Sequence, residues 1–210
     1  MRLVQQPADV TISAAESLRP AIELADEIES LSQAADPERP NRFQAKYAPA
    51  SRVGRPIAMI PANLAGPTAK ALARLVDEVG DIDEFSAGRL GWSVAQMAEV
   101  LSPEQVDAFA LAIHAADKGR GLIVADQTGL GKGRVMAAII RASILSGRRV
   151  VFFTEKENLF SDIWRDLRDI GSDALVGRPF ILNTGSRIVD TASPDGEVLH
   201  ASLKAAEQTK

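Results

Sequence analysis

The sequence predicts an α/β protein in which an all-helical N-terminal region precedes a partial parallel sheet of about three strands. Apolar residues recur at helical spacing over residues 67–100. Beyond Leu101 the pattern changes, because helix-length segments alternate with three short apolar runs, Leu122–Ala125, Arg149–Phe153 and Pro179–Leu182. Strands that alternate with helices of this length indicate βαβ units, a parallel sheet and right-handed crossovers.

The first 66 residues divide into two segments. Residues 1–35 are predicted to be a flexible lead followed by a helix, since apolar residues recur at spacings of three and four from Leu18 to Leu31. Residues 36–66 hold five prolines, which remove backbone donors and disfavour regular structure. This second segment is predicted to be either a linker or an extended stretch wrapped over the next domain.

A helical preamble is predicted over residues 67–100. Pro67 suits the first position of a helix, and Gly80 suits the left-handed residue that ends one. Two shorter helices are expected to follow, at 83–90 and at 93–100. The preamble is therefore predicted to contain no strand.

Two helix starts carry the pattern of a capping box, in which a serine is followed three residues later by glutamine. The pairs are Ser93 with Gln96 and Ser102 with Gln105. The second pair opens a helix that is predicted to run to about Asp117. Each pair satisfies two backbone donors that a helix start would otherwise leave unbonded.

Residues 101–183 are predicted to hold the sheet, and two further helices in this part are expected to end at Gly147 and Gly171. Residues 184–210 are predicted to be a weakly structured tail with a turn at 193–196. There is no internal repeat.

Composition excludes several classes of protein. The chain has 210 residues, of which 46% are hydrophobic and 25% charged, so it is expected to fold rather than remain disordered. It has no cysteine, which excludes disulfides, thiol catalysis and cysteine-bound metal. Two histidines, His114 and His200, are too few for a histidine-based metal site.

Charge and hydropathy predict a location and a kind of surface. No apolar run approaches the roughly 20 residues that span a bilayer, and there is no signal-peptide pattern, so no membrane contact and a cytoplasmic location are predicted. The net charge of −4 argues against a uniformly basic coat. Residues 132–170 nevertheless hold eight basic and five acidic residues, which suits either a phosphate-facing surface or ordinary solvated helix faces.

The sharpest motif is GLIVADQTGLGKGR, from Gly121 to Arg134. A predicted buried strand runs into a glycine-containing turn, and a helix begins near Lys132. Glycines let backbone N–H groups converge on phosphate oxygens, the helix dipole favours negative charge there, and the lysine reaches the outer phosphates. The candidate nucleotide-binding residues in this loop are Asp126, Gln127, Thr128, Gly129, Leu130, Gly131, Lys132, Gly133 and Arg134. The alternative is a flexible turn that binds nothing.

The loop departs from the pattern G-x-x-x-x-G-K-[ST] at two positions. Asp126 stands at the first glycine position, and Gly133 stands where a Ser or Thr hydroxyl normally helps to hold Mg²⁺. ATP, accompanied by Mg²⁺, is the predicted cofactor. Because the loop hydroxyl is missing, the metal must be held by other groups or be bound weakly. No residue is predicted to be a direct metal ligand.

The chain from Leu101 to Gly171, above all GLIVADQTGLGKGR and RRVVFFTEKENLFSDIWRDLRDIG, resembles the strawberry notch family of superfamily 2 helicase-like ATPases. The G-K-G-R ending of the loop is similar to the form that this family carries. The resemblance extends over about residues 47–183. It implies a RecA-like first motor lobe at 101–183, ATP binding and nucleic-acid-coupled movement.

The resemblance also implies roles for single residues. Lys132 matches the phosphate-binding lysine, and Gln105 matches a glutamine that reads adenine in such motors, although it equally fits the capping box. Thr154 and Lys156 follow the second predicted strand, where these motors contact the backbone of nucleic acid, here expected to be DNA. Thr154 can instead cap the next helix. Residues 183–186 faintly resemble a further contact loop of this kind.

Other conspicuous side chains have a structural interpretation. Arg165 and Arg168 can extend the basic surface with Arg134, but interleaved aspartates favour an ion-paired, solvated helix face for the first two. Trp92 and Trp164 are predicted to be core or interface aromatics.

One element that hydrolysis requires is missing. A motor needs an apolar strand ending in Asp-Glu after the loop, and here Asp190 follows only two apolar residues. The predicted function is therefore the ATP-binding N-terminal portion of a helicase-like, nucleic-acid-dependent ATPase, inactive alone and with no catalytic residue of its own. Its partners would be nucleic acid and a missing C-terminal motor portion or second chain. The alternatives are a stand-alone, non-hydrolysing nucleotide- or partner-binding module, and a P-loop phosphotransferase or other α/β enzyme whose catalytic acid is not evident from the sequence.

Overall fold

The computed structural model describes residues 43–56, 58–124, 131–183 and 185–203. The predicted helix within 1–35 and the first part of the proline-rich segment lie outside the described residues. The same holds for Asp126, Gln127, Thr128, Gly129 and Leu130 of the loop, and for Thr184.

Helices dominate the described part of the chain. Two short strands come first, β1 (Gln44–Lys46) and β2 (Met59–Pro61). The helices that follow are α1 (Ala62–Val79), α2 (Ile82–Leu90), α3 (Val94–Val100), α4 (Pro103–Asp117), α5 (Lys132–Leu145), α6 (Asn158–Asp169) and α7 (Asp173–Val176). The strands β3 (Arg187–Val189) and β4 (Val198–Ala201) come last. None of the described helices has the length and apolar character that a membrane crossing requires.

Both predicted capping boxes are confirmed. Ser93 Oγ accepts a hydrogen bond of 3.2 Å from Gln96 N, and Gln96 Oε1 accepts one of 2.9 Å from Ser93 N. Ser102 and Gln105 make the same reciprocal pair. Helices α3 and α4 therefore each begin one residue after a capping serine.

The predicted helix start at Pro67 is wrong. α1 begins at Ala62, directly after β2, and Pro67 lies inside it. A proline so near the start of a helix removes only one backbone hydrogen bond, and the helix retains its apolar stripe. Leu72 and Leu75 of that stripe are buried together with Ala110 of α4. Packing of this stripe stabilises the helix through the proline.

The predicted parallel sheet is not present among the described residues. Both strand pairs there are antiparallel, β1 with β2 and β3 with β4. The parts of the three apolar runs that are described, 122–124, 149–153 and 179–182, have no regular secondary structure. We call these three stretches the apolar segments. Their composition suits a strand, but a strand also needs a neighbour that completes its backbone hydrogen bonds.

The helices enclose the main apolar core. Phe109 of α4 is completely buried between residues of α2, α3 and α5. A second cluster joins α5 and α6 to the last hairpin and contains Trp164. Trp92 packs against both clusters, and the Arg141 guanidinium lies 4.5 Å from the centre of its ring. Both tryptophans are thus part of the core, as predicted.

A hairpin lies within the segment that was predicted to be weakly structured. β3 pairs with β4, and in the connection Gly196 N donates to Ser193 O at 3.1 Å, which confirms the predicted turn. Val189 N donates to Ser161 Oγ of α6 at 3.1 Å, so the hairpin is fixed to that helix. Strands of three and four residues are too short to leave a clear period in the sequence.

Two buried carboxylates hold residues 47–53 against the helices. Asp83 accepts from Ser51 Oγ and from Arg52 N. Asp107 accepts three hydrogen bonds of 2.9 Å each, and the donors are Tyr47 Oη, Ala50 N and Ser51 N. Burial raises the pKa of Asp107, while these hydrogen bonds oppose that change. The segment before β2 is therefore part of the folded unit.

Candidate functional site

The start of α5 has the features of an anion-binding helix terminus. Gly131 precedes the helix with φ +73°, in the left-handed region that glycine adopts without strain, and Lys132 is the first helical residue. The first backbone N–H groups of a helix have no partner within it and carry the positive end of its dipole. A phosphate group placed there would be stabilised by both.

Gln105 links the capping box of α4 to this helix start. Its Oε1 accepts from Ser102 N at 3.0 Å, as the capping interpretation predicts. Its Nε2 also donates to Gly131 O at 3.5 Å, across 26 residues of sequence. A Cβ atom at Gly131 would lie 2.3 Å from Gln105 Nε2, so a side chain at this position would displace the end of Gln105. The adenine-reading role of Gln105 stays a prediction.

A cavity of about 760 Å³ opens beside the start of α5. Gln105, Gly131 and Arg134 line it on one side, and Tyr47 and Ile60 contribute to its apolar wall. Leu122, Ile123 and Val124, from the first apolar segment, line it as well. Cavities of roughly 300–1,000 Å³ with apolar walls and a few polar groups are typical of small-molecule sites.

Asp166 of α6 lines the same cavity and lies beside Gly133 of α5. The sequence did not predict it as a site residue. Its Oδ2 occupies the space beside Gly133, because a Cβ atom at Gly133 would lie only 1.9 Å away. Burial raises the pKa of Asp166, and the charge of Arg165 opposes this. In the sequence Asp166 looks like one of several aspartates on a solvated helix face. Only the packing of α6 on α5 brings it to the loop.

The arginines of this region are ion-paired. Arg165 pairs with Asp162 at 3.0 Å and with Asp166 at 3.4 Å, which confirms the predicted pairing on the helix face. The remaining pairs are Arg168 with Asp190 at 3.0 Å and Arg134 with Asp169 at 3.3 Å. Because aspartates pair with these arginines, the surface here is less basic than the composition suggests.

Thr154 and Lys156 lie in the turn before α6. Thr154 Oγ1 accepts from Lys156 N at 3.3 Å, and α6 begins only at Asn158. Thr154 therefore shapes the turn and does not cap the helix. The Lys156 side chain is exposed. Contact of either residue with nucleic acid stays a prediction.

Asp190, the acid that follows two apolar residues after the loop, does not line the cavity beside the start of α5. Asp190 lines a separate depression with Arg168, and its pKa is lowered by the Ala192 backbone N–H and by the Arg168 side chain. No group of three or more His, Asp or Glu side chains among the described residues is placed to hold a metal ion. An acidic strand after the loop is not found in residues 131–183 or 185–203.

Comparison with known proteins gives one family. The family described as P-loop containing NTP hydrolase pore-1 matches residues 86–193, which are 108 of the 210 residues. The match includes the loop, Gln105, Asp166 and the first strand of the last hairpin.

Several relatives share a short segment with this chain. Protein strawberry notch homolog 1 of Gallus gallus is 47% identical over 53 residues, which are 25% of this chain and 4% of that protein. The homologs of Rattus norvegicus and Homo sapiens are each 43% identical over 53 residues, with the same coverage. The chain thus matches about 4% of the length of these relatives. No solved structure matches it.

Proposed function

Because the chain belongs to the P-loop containing NTP hydrolase pore-1 family, we propose that it is the nucleotide-binding part of a helicase-like, nucleic-acid-dependent ATPase of the strawberry notch type. The observation that carries the proposal is the start of α5, where Lys132 begins the helix and Gly131 lines a cavity of nucleotide size. ATP with Mg²⁺ is the proposed ligand, and the cytoplasm is the proposed location.

The phosphates bind at the start of α5. Backbone N–H groups of the first turn donate to phosphate oxygens, and the Lys132 ammonium adds a charge-assisted hydrogen bond. Because Gly131 has no side chain, its backbone can approach the ligand closely. Mg²⁺ bound with the nucleotide would neutralise part of the phosphate charge, and the Asp166 oxygen beside Gly133 is of the chemical class that this ion prefers.

The base occupies the cavity. Its apolar wall, which includes Tyr47 and Ile60, shields the faces of a planar ring from water. Gln105 keeps its proposed role at the adenine edge, because its side chain lines the cavity and its Nε2 lies 3.5 Å from Gly131 O at the start of α5. Gln105 would thus couple the base to the loop that binds the phosphates.

Binding without turnover is proposed for the 210-residue chain. Hydrolysis needs a group that positions water and a charge arrangement specific to the transition state. Asp190 is held by Arg168 at 3.0 Å in a depression apart from the cavity, and this supports its exclusion from that role. Turnover in the family would then require acidic residues from a C-terminal motor portion or a second chain.

The apolar segments support the proposal of such a partner. Ile123 is 90% exposed and Phe153 is 84% exposed, although their surroundings in sequence are typical of buried strands. Contiguous exposed apolar surface marks sites that other protein covers, and we propose that the apolar segments contribute to such a surface. The same exposure favours the alternative of a partner-binding module, which differs from the first proposal in needing no ATP turnover in the assembly.

Thr154 and Lys156 are the proposed contacts to the nucleic-acid backbone, with DNA as the expected partner. The Lys156 side chain is exposed, and the hydroxyl of Thr154 lies 3.3 Å from the Lys156 backbone N. Contacts from such groups go to phosphates and carry no base sequence. Binding is therefore expected to be sequence-indifferent and to weaken as salt increases.

The first test replaces the lysine of the loop. Calorimetric titration with Mg²⁺ and a non-hydrolysable ATP analogue should show binding to the wild type. Lys132→Ala should weaken it by at least about tenfold, or ~1.4 kcal/mol, because a charge-assisted phosphate contact is lost. Lys70→Ala, which removes an exposed lysine of α1 that does not line the cavity, is the matched control and should bind as the wild type does. Equal affinities for Lys132→Ala and the wild type would contradict the proposal.

A further inference from the structure

Gly133 and Asp166 share one small space. Gly133 is the second residue of α5 and stands at the loop position that usually carries a hydroxyl. A Cβ atom added to it would lie 1.9 Å from Asp166 Oδ2 and 3.1 Å from Asp166 Cγ. A serine or threonine therefore cannot stand at position 133 while Asp166 keeps its place. The carboxylate fills the volume that the hydroxyl side chain would occupy.

The Asp166 carboxylate is fixed in this position from α6. Its Oδ1 lies 3.4 Å from an Arg165 nitrogen, and the side chain is only 15% exposed. Asp166 also lines the cavity together with Gln105 and Gly131. One carboxylate oxygen is thus held by a guanidinium while the other lies against the second residue of α5.

A negative charge at this point opposes the binding of a bare nucleotide. The start of α5 is suited to phosphate, and two negative groups a few ångströms apart in a partly buried site repel each other. A divalent cation between the carboxylate and the phosphate makes the interaction attractive, because carboxylate and phosphate oxygens are the ligands that Mg²⁺ prefers. The Asp166 carboxylate beside Gly133 therefore affects which form of the nucleotide can bind, the free anion or its Mg²⁺ complex.

We propose that Asp166 replaces the missing loop hydroxyl as the oxygen that faces the divalent cation, and that it makes the site selective for the Mg²⁺ complex of the nucleotide over the free anion. This inference rests on the proposed function, since it assigns a ligand-positioning role within the same site. It also explains why the loop carries glycine at position 133: the acid comes from α6, and the loop leaves room for it.

The experiment compares nucleotide binding with and without metal. Fluorescence titration of ADP is carried out on the whole chain in excess Mg²⁺ and in excess EDTA. The wild type should prefer the Mg²⁺ form by about tenfold or more, and Asp166→Asn should reduce this preference to less than about threefold. The amide should weaken binding of the Mg²⁺ form and strengthen binding of the free anion, because it removes a ligand and a repulsive charge together.

Asp162→Asn is the matched control. Asp162 lies on the same helix and pairs with Arg165 at 3.0 Å, but it neither approaches Gly133 nor lines the cavity. Its variant should keep the preference of the wild type. If Asp162→Asn abolishes the preference as Asp166→Asn does, the effect comes from Arg165 and the inference is wrong.

A second measurement observes the metal itself. Electron paramagnetic resonance of Mn²⁺ with ADP should show the ion immobilised by the wild type and released by Asp166→Asn. Gly133→Ser combined with Asp166→Ala should restore the immobilised signal, because the serine then has room for its hydroxyl. Circular dichroism establishes that each variant is folded.

The outcomes separate this inference from the function on which it rests. If the wild type binds ADP and Asp166→Asn changes both affinities by the same factor, or neither, the inference is overturned while nucleotide binding stands. If the wild type binds neither form of the nucleotide, the proposed function is overturned and the inference with it.

Discussion

Two regions of this protein are rich in apolar residues and differ in how far they bury them. In the helical region, residues 62–117, Phe109 is completely buried and the capping serines satisfy the helix starts. In the apolar segments, Phe153 is 84% exposed and Ile123 is 90% exposed. Both phenylalanines stand in sequences that predict burial, yet only the helical one achieves it.

The difference lies in how each kind of element satisfies its backbone. A helix forms its hydrogen bonds within itself and needs only one neighbour for its apolar stripe. A strand forms no ladder hydrogen bonds within itself, so other elements must bond its backbone groups and cover its faces. The helices of the described part therefore bury their apolar stripes, while the apolar segments have the composition of a sheet and lack strand pairing, although Ile181 is buried in the second cluster. Additional protein that pairs with them would supply those contacts.

The largest effect is expected from a matched pair of phenylalanine variants. Phe109→Ala should lower the free energy of unfolding by about 3–5 kcal/mol, because it opens a cavity in the core. Phe153→Ala should change it by less than about 0.5 kcal/mol, since the ring is mostly in water. Urea unfolding followed by circular dichroism measures both. A large loss in Phe153→Ala would mean that the apolar segments are packed, and the comparison would fail.

A smaller effect is expected at Asp107, which extends the comparison to polar groups. Asp107→Ala leaves three backbone and hydroxyl donors without their acceptor and should lower the free energy of unfolding by about 1–3 kcal/mol. Asp162→Ala, on the solvated face of α6, is the control and should cost less than about 0.5 kcal/mol. Equal stabilities for the two variants would show that residues 47–53 are not held by Asp107.

The smallest effect concerns the surface and depends on pH. Hydrogen bonds from Lys118 and His114 lower the pKa of Glu78 below its ordinary value of 4.5. A carboxylate with a lowered folded-state pKa stabilises the fold above its unfolded-state pKa and ceases to do so as pH falls through the folded-state pKa. Glu78→Gln should therefore slightly lower the melting temperature at about pH 7, and this effect should decrease as pH falls toward about pH 3. Glu155 is an exposed carboxylate after the second apolar segment, and Glu155→Gln should leave the melting temperature unchanged at both pH values.

Local signals in the sequence predicted most of the helices. The capping boxes at Ser93 and Ser102 are contained within four residues, and each fixes a helix start without help from the rest of the fold. The first described helix was predicted to start too late, because Pro67 was taken as a start where packing of Leu72 and Leu75 carries the helix through it. Strand pairing was not predictable in the same way, since it depends on residues distant in sequence.

The candidate site divides along the same line. Gly131 and Lys132 were predictable because the phosphate loop is a contiguous motif. The contact of Gln105 with Gly131 spans 26 residues. The sequence predicted the role of Gln105 in the capping box but could not predict this contact. Asp166 was not predictable as a site residue, because only the packing of α6 against α5 brings it to Gly133. Contacts between elements decide the chemistry of this site.

The most direct test of the central claim is to identify the nucleotide that the chain holds. After equilibrium dialysis against ATP and Mg²⁺, the bound nucleotide is recovered and separated by chromatography, with Lys132→Ala in parallel. We expect the wild type to hold intact ATP, Lys132→Ala to hold at least about tenfold less, and no phosphate to be released above that variant, with or without DNA. Recovery of ADP, with phosphate release that depends on Lys132, would contradict binding without turnover and would require an acid that completes the site within this chain.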